Sequence, residues 1–183
     1  MKTLSPDDRR VMPGLEGCSV YAVASFYVRP DRLLVRAVRL VESAGGRVLD
    51  VDEERRVVRA NLPVRAVERL SRELEELLSG SGVEVKVTCR YRASLGETAR
   101  MLRRRGFLVE LAGGRLLAYG VAGGRYVEVE VLEGRVRVKV GRRAAAGGRR
   151  LTSRPPPAAF VMSLGEAVEA SREALAVAGA AVG

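Results

Sequence analysis

Turn residues recur every ten positions in the second half of this chain. Gly113-Gly114, Gly123-Gly124 and Glu133-Gly134 each separate two runs in which apolar and polar residues alternate. A Gly-Gly pair between alternating runs is typical of a two-residue β-hairpin turn, because both central positions of that turn need positive φ. The spacing therefore predicts four strands of about eight residues in an up-and-down antiparallel meander over residues 107–140.

The last hairpin of this meander can be assigned a register. A turn at Glu133-Gly134 places apolar residues opposite each other on one face and opposite charges on the other, as cross-strand stabilisation favours. The predicted pairs are Val131–Val136, Glu130–Arg137, Val129–Val138 and Glu128–Lys139.

The first half of the chain alternates between strand and helix patterns. Strict alternation of apolar residues predicts strands, and apolar stripes after Pro30 and Pro63 predict two helices that end at Gly45-Gly46 and Gly80. The order β-α-β-β-α-β most simply gives a four-stranded antiparallel sheet with two helices on one face, the ferredoxin-like arrangement. The predicted strands are residues 18–28, 47–51, 55–62 and 83–92.

Two Ser-x-x-Glu capping boxes, 94–97 and 163–166, predict a short helix that ends near Arg105 and an Ala-rich closing helix. Residues 141–159, between the meander and the second box, contain five Arg, no acid and three consecutive Pro, which is typical of a linker. From Val83 onward the order β-α-β4-α resembles one half of the TATA-box-binding-protein saddle, in element order only and without that family's sequence motifs.

The predicted fold class is therefore α+β: a ferredoxin-like βαββαβ half, then a helix, a four-stranded antiparallel meander and a C-terminal helix. The expected organisation is a polar leader (1–16), the ferredoxin-like unit (17–92), the helix and meander (93–140), a basic Arg/Gly/Pro linker (141–160) and the closing helix (161–183).

Composition limits the chemistry of this 183-residue chain. It carries a formal charge of +10 and no His, which excludes His-based catalytic triads and H-E-x-x-H zinc helices. No G-x-x-x-x-G-K-[ST] phosphate loop occurs, and two cysteines alone cannot form a structural zinc site. We therefore expect no cofactor and no metal. A non-enzymatic protein is favoured over an enzyme, which would have to use carboxylate, Tyr or Cys chemistry.

The same composition bears on location and origin. The apolar stretches reach only about ten residues, short of the roughly 20 that a spanning helix needs, and the start of the chain lacks an apolar signal region. A soluble cytoplasmic protein without a membrane partner is the expectation. Many Arg with almost no Lys, no Ile and a single Asn suggest a GC-rich genome and an archaeal-type thermophile, so part of the charge can reflect genome composition.

The main candidate site is the sheet face turned away from the first two helices. Alternation places Tyr21, Val23 and Tyr27 on this face. Aromatic rings stack on bases while cations hold phosphates, as in single-strand RNA binders on this scaffold, although the third strand lacks the aromatic pattern of an RRM. The alternative is that this face packs against the meander or another subunit. The basic residues expected beside the tyrosines are Arg55, Arg59, Lys86, Arg90 and Arg92.

Three further charged clusters have simpler explanations. The arginines of 141–159, including Arg142, Arg143, Arg149 and Arg150, can form a flexible nucleic-acid-binding arm, a solubilising segment or compositional drift. Cations at Arg100 and 103–105 suit the C-terminal end of a helix dipole. The acidic residues 50–54 suit a charged turn in water better than a Mg²⁺ site.

The two cysteines are predicted to lie close together. Cys18 begins the first strand and Cys89 lies late in the fourth, and these strands are antiparallel neighbours in the ferredoxin-like order. Both fall on the helix-facing side. Either a disulfide, for which hyperthermophiles provide intracellular precedent, or two buried thiols would satisfy this placement.

These observations favour a non-enzymatic protein that binds RNA or single-stranded nucleic acid through a basic-aromatic sheet face and an Arg-rich segment. The alternative is an oligomeric scaffold or small-ligand-sensing protein whose sheet face is a packing surface, and a homo-oligomer is compatible with either interpretation.

Overall fold

The computed structural model describes residues 2–3, 15–145 and 151–182. The strands are β1 (Lys2–Thr3), β2 (Leu15–Val28), β3 (Arg47–Asp52), β4 (Val57–Pro63), β5 (Leu78–Tyr91), β6 (Leu108–Ala112), β7 (Arg115–Ala122), β8 (Arg125–Leu132) and β9 (Arg135–Arg143). The helices are α1 (Leu34–Ser43), α2 (Val64–Glu75), α3 (Leu95–Arg104) and α4 (Leu164–Val182), with a 3₁₀ turn at Pro157–Phe160.

The strands form one antiparallel sheet in the order β3-β4-β2-β5-β9-β8-β7-β6, and β1 pairs with β2. The first four strands of this order confirm the predicted ferredoxin-like arrangement. The buried core of this half combines Phe26 of β2 with Val41 of α1 and with Leu70 and Leu74 of α2, all inaccessible to solvent. We call the side of the sheet that carries the helices the inner face and the opposite side the outer face.

The meander extends the same sheet rather than packing on it. Its last strand, β9, pairs with β5, so that β5-α3-β6-β7-β8-β9-α4 follows the predicted element order. All three hairpin turns have positive φ at both central residues, including φ 52° at Glu133 and 72° at Gly134. The predicted register of the last hairpin is confirmed, because Val131 pairs with Val136 and Glu128 with Lys139.

Several boundaries differ from the sequence-based ones. Strand β5 begins at Leu78, five residues before the predicted start at Val83, because Gly80 and Gly82 pair with Tyr27 and Ser25 of β2. Helix α1 begins at Leu34 rather than at Pro30. Alternation patterns miss such strand extensions where glycine interrupts the run of apolar residues.

The predicted linker is ordered over much of its length. Strand β9 continues to Arg143, and Ala159 and Phe160 are buried against Leu117 and Tyr119 on the outer face. Gly141 permits this packing, since a Cβ there would lie 2.5 Å from the carbonyl oxygen of Ala159. The basic, proline-rich segment is therefore not a free linker over its described residues, because its apolar residues Ala159 and Phe160 pack on the outer face of the sheet. Residues 146–150 lie outside the described residues.

A buried arginine fastens α4 to the sheet. Arg125, at the start of β8, has no solvent exposure. Its Nε donates to Glu173 Oε2 at 3.2 Å and its Nη1 to the carbonyl oxygen of Gly141 at 3.1 Å, while Glu169 lies 3.8 Å away. A buried guanidinium is tolerated only when such partners compensate its lost hydration.

None of the helices in the described ranges is long and apolar enough to cross a membrane.

We predict that removing the acids is worse than removing the arginine. Glu169→Gln with Glu173→Gln should lower the free energy of unfolding by about 3 kcal/mol, because a buried guanidinium loses both counter-charges. Arg125→Met should cost less than about 1.5 kcal/mol, since Met fills similar space and the two carboxylates are partly hydrated. Denaturant titration measures both, and a larger cost for Arg125→Met would contradict this account.

Cys18 and Cys89 are joined by a disulfide on the inner face. Both residues are buried, and the bond ties β2 to β5 at the point where their register shifts between Glu16 and Ser19. Two strands that are far apart in sequence are thereby cross-linked beside a bulge, where ladder hydrogen bonds are interrupted.

We predict that this disulfide contributes substantially to stability. It closes a loop of 71 residues, for which the chain-entropy model gives about 4 kcal/mol. For a chain of this size that corresponds to a fall in Tm of roughly 8–16 °C on reduction. Calorimetry of oxidised and reduced protein tests this, with Cys18→Ala and Cys89→Ala as variants that should each resemble the reduced form. An unchanged Tm after complete reduction would show that packing alone holds these strands.

Candidate functional site

The candidate site lies on the outer face, where β2 is flanked by β4 and β5. Alternation places Tyr21, Val23 and Tyr27 of β2 here, because the intervening Ala22, Ala24 and Phe26 are buried under the helices. The side chain of Tyr27 is 46% exposed. That of Tyr21 is half-buried, with its hydroxyl 3.4 Å from Thr88 Oγ1 of β5.

Three arginines of β5 and β9 form a cluster next to Tyr21. The register pairs Arg90 with Arg135 and Thr88 with Arg137, so the three guanidinium groups share one region of the outer face. All three residues are exposed. Like charges directly opposite each other destabilise a sheet. A bound anion would relieve this repulsion.

No ion pair to the arginine cluster occurs among the described side chains, although Glu16 stands opposite Arg90 in the β2–β5 register. Glu130 lies opposite Arg137 in the register, yet its carboxylate forms an ion pair with Arg115 instead. No hydrogen bond or ion pair to Arg90, Arg135 or Arg137 occurs among the described side chains. The three arginines therefore present exposed guanidinium groups on the outer face.

A shallow depression of about 390 Å³ lies between Tyr21 and the arginine cluster. Hydroxyl groups of Ser19, Tyr21 and Thr88 line it together with the three arginines and Asn61. The Asn61 Oδ1 atom is buried and lacks a hydrogen-bond partner in the described structure. Hydroxyls and guanidinium groups are the usual protein ligands of phosphate oxygens, so this depression suits an oxyanion.

A second depression, of about 490 Å³, continues from the first across β9 to β8. It shares Thr88, Arg135 and Arg137 with the first, but Glu130 and Glu133 also line it. Because carboxylates repel an anion, the side near Tyr21 is the better place for a negatively charged group.

The lysines of this face are already neutralised. Lys86, predicted from the sequence to contact phosphate, lies 3.1 Å from Glu84. Lys139 lies 4.0 Å from the same carboxylate and 3.9 Å from Glu128. The positive charge of the outer face is therefore concentrated in the arginine cluster rather than spread over all of its basic residues.

The other predicted basic residues do not line the depression beside Tyr21. Arg59 is exposed on β4, opposite Ser25 of β2 and Asp50 of β3. Arg55 belongs to the turn between β3 and β4 and lies 3.9 Å from Asp52. Arg92 is exposed immediately after the end of β5. Arg59 and Arg92 extend the basic surface, whereas the structure pairs Arg55 within its own turn.

The arginines predicted to form a flexible arm have structural contacts where the structure describes them. Arg142 Nε donates to the carbonyl oxygen of Val161 at 2.7 Å, and Arg143 lies 3.7 Å from Glu173 of α4. These two residues therefore fasten the segment that follows β9 instead of belonging to a free arm, and their contact with nucleic acid stays a prediction. Arg149 and Arg150 lie outside the described residues.

The segment 151–160 covers the far end of the outer face. Phe160 and Ala159 bury Leu117 and Tyr119 of β7, and the guanidinium carbon of Arg154 lies 4.9 Å from the centre of the Tyr119 ring. Burial raises the pKa of Tyr119 above its ordinary value. The described residues of this segment thus leave the outer face from β3 to β9 uncovered.

Arg135 and Arg137 are not predicted from the sequence as site residues. Arg137 is predicted only as a hairpin partner of Glu130, because nothing in the local pattern indicates that β9 lies beside β5. The face on which both arginines lie could nevertheless be predicted, since they alternate with the apolar residues Val136 and Val138 along β9. The missing information was the strand order.

The side chains that converge at this site carry guanidinium and hydroxyl groups, which are donors suited to an anion. Within the described ranges, no group of three or more His, Cys, Asp or Glu side chains is arranged to hold a metal ion. Asp50, Asp52, Glu53 and Glu54 border a turn, where the Asp52 carboxylate accepts the Arg55 backbone N–H at 2.9 Å. That contact is typical of a turn stabilised by its own side chain.

No protein family model matches the chain, and no curated protein matches it. Among solved structures, it is similar to the ligand-free regulatory subunit of aspartate kinase from Thermus thermophilus, with 15% identity, coverage of 86% of this chain and 97% of that chain, and a TM-score of 0.28. The corresponding subunit from Thermus flavus gives 15% identity, coverage of 88% and 98%, and a TM-score of 0.27. At these values the likeness does not indicate what this chain binds.

Proposed function

We propose that the outer face binds single-stranded nucleic acid, with the arginine cluster as the main phosphate contact. The observation that carries this proposal is the convergence of Arg90, Arg135 and Arg137 on paired strands, with no ion pair to any of the three among the described side chains. Phosphate neutralises such a cluster and releases its own counterions, which drives association. Hydroxyl groups of Ser19 and Thr88 would donate further hydrogen bonds to the same phosphate.

A single strand suits this surface better than a duplex. Sequence readout of a DNA duplex needs an element that enters the major groove, and an open sheet face has no such projection. Unpaired bases, by contrast, stack on exposed aromatic rings. Tyr21 and Tyr27 lie on the same side of β2, six residues and thus about 20 Å apart. A strand following β2 would meet the arginine cluster at one end and the exposed Tyr27 ring at the other.

We predict that the arginine cluster determines the salt dependence of binding. If the wild-type face engages about six phosphates, the slope of log K against log salt should be near −4. Arg135→Gln with Arg137→Gln should reduce the magnitude of that slope by roughly 1.4, since two phosphate contacts are lost. Fluorescence anisotropy with a labelled single-stranded RNA at several salt concentrations measures both values.

The matched control for this experiment is Arg103→Gln with Arg104→Gln. These exposed residues lie in the last turn of α3, away from the outer face, and their removal changes the net charge by the same amount. The control should retain the wild-type slope. Equal losses in both variants would mean that total charge, not the cluster, drives binding, and undetectable binding of wild type at low salt would overturn the proposal.

We predict that Tyr27 contributes by stacking. Tyr27→Ala should weaken single-strand binding by about 1–3 kcal/mol, whereas Tyr27→Phe should keep most of the affinity because the ring is retained. The same anisotropy assay applies, and circular dichroism checks that the exposed substitution leaves the fold intact. Equal affinities of the Ala and Phe variants, both at the wild-type level, would remove Tyr27 from the interface.

A small anionic ligand is the second candidate for this face. The depression lined by Ser19, Tyr21 and Thr88 is the observation in its favour, because its volume suits a small molecule better than a polymer. Oligonucleotide length distinguishes the two candidates. Affinity that rises with length up to the span of β2 supports strand binding. Affinity that is equal for a nucleoside monophosphate and a long strand supports a small-ligand site.

A further inference from the structure

The arginine cluster lies where the paired strands β5 and β9 end. Arg90 is the residue before the last one of β5, and Arg135 is the first residue of β9. The hairpin turn at Glu133-Gly134 immediately precedes Arg135, and the backbone N–H of Tyr91 donates to the carbonyl oxygen of Gly134 at 2.8 Å. A ligand that follows these two strands toward the turn therefore reaches the end of their pairing at the cluster.

Carboxylates bound the cluster on the side of β8. Glu130 and Glu133 line the second depression together with two arginines of the cluster. The Glu130 carboxylate pairs with Arg115, whereas Glu133 is exposed in the hairpin turn. The basic residue that follows β5, Arg92, lines neither depression. A phosphate that lay beyond the cluster on this side would be repelled by a carboxylate, because like charges repel.

On the side toward Tyr21, hydroxyl groups take the place of carboxylates. The first depression is lined by the hydroxyls of Ser19, Tyr21 and Thr88 and by all three arginines, and no acidic residue lines it among the described side chains. Tyr27 lies further along β2 on the same face, where it is 46% exposed. A strand that leaves the cluster on this side therefore follows β2.

The donors at the cluster exceed what one internal phosphate of a strand can accept. A phosphodiester carries one negative charge and has two oxygens outside its ester links. A terminal phosphate monoester carries a charge of about −1.5 to −2 at neutral pH and has three strong acceptor oxygens. Each guanidinium has five N–H donors in a planar fork and can bind two oxygens of one phosphate. Three guanidinium groups and three hydroxyls therefore suit the monoester better than the diester.

We infer that the arginine cluster binds the phosphorylated end of a single strand, and that the strand runs from there past Tyr21 toward Tyr27. This inference rests on the proposed function, because it assigns one end of the bound strand to one end of the same face. Two observations carry it: the paired strands end at the cluster, and carboxylates line its β8 side. An internal phosphodiester at the cluster would have to continue its backbone in one of these two directions.

Competition against a labelled single-stranded RNA tests this inference on the full chain. The competitors share one sequence and carry hydroxyl groups at both ends, a 5′ phosphate, a 3′ phosphate, or the methyl ester of the phosphate at the preferred end. One of the two phosphorylated strands should bind about tenfold more tightly than the hydroxyl-ended strand, which is the scale of one added hydrogen bond to a charged group. The methyl ester, with one charge and two free oxygens, should lose most of this gain.

The comparison of the two ends separates recognition of an end from a general effect of charge. A phosphate at the opposite end should raise affinity by less than about twofold, because it adds charge without reaching the cluster. Equal gains at both ends, or equal affinities of phosphorylated and hydroxyl-ended strands, would overturn the inference. The proposed function fails by a different result, the absence of binding by every strand at low salt.

A protein variant tests whether the cluster is the site that binds the phosphorylated end. Arg90→Gln with Arg135→Gln should reduce the ratio of phosphorylated to hydroxyl-ended affinity to less than about twofold, because two donors to the terminal phosphate are lost. Tyr27→Ala is the matched control, since it should weaken both strands by the same factor and leave the ratio unchanged. A ratio that persists in the double variant, with its fold intact by circular dichroism, would place the phosphorylated end elsewhere and overturn the assignment.

Discussion

Strand β5 is the element on which the rest of this structure depends. It pairs with β2 along one side and with β9 along the other, and its inner side chains, Val83, Val85 and Val87, are inaccessible to solvent. The ferredoxin-like half therefore ends with the same strand that begins the meander half. Because one strand serves both halves, the sheet is continuous and its helices share one face. The disulfide at Cys89 fastens this strand to β2 close to where β9 also pairs with it.

Because both halves share β5, side chains from both halves become neighbours on one sheet. A continuous sheet with all helices on one side leaves the other side as the surface on which side chains from distant segments become neighbours. Arg90 and Arg135 are far apart in sequence but face each other across β5 and β9. The segment that returns from β9 to α4 closes the far end of that surface through Phe160 and Tyr119, and so limits the open region to the strands around β2. The candidate site is thus a consequence of topology as much as of composition.

Much of the fold could be predicted from the sequence, because its determinants are local. Gly-Gly pairs specify hairpin turns, strict alternation specifies the strand faces, and the charges of Glu128 and Lys139 specify one register. The pairing of β5 with β9 could not be predicted this way, since no local pattern states which non-adjacent strands meet. The site was therefore predicted only in part. Tyr21, Tyr27 and Arg90 lie on the outer face as expected, Arg135 and Arg137 were missed, and the neutralisation of Lys86 by Glu84 was overlooked although alternation puts both on one face.

The ion pairs of this chain show which of its basic residues are neutralised, and composition alone does not show this. A genome rich in Arg codons raises the number of arginines everywhere, but it does not decide which of them receive a carboxylate. Here Glu173 binds Arg125 and Arg143, and Glu84 binds both lysines of the outer face. The arginines that fasten the closing helix have acids, whereas no ion pair to Arg90, Arg135 or Arg137 occurs among the described side chains. Repulsion within that cluster makes the unliganded sheet less stable than it would be with paired charges. An anion that binds the folded state at this cluster would offset the repulsion among its arginines.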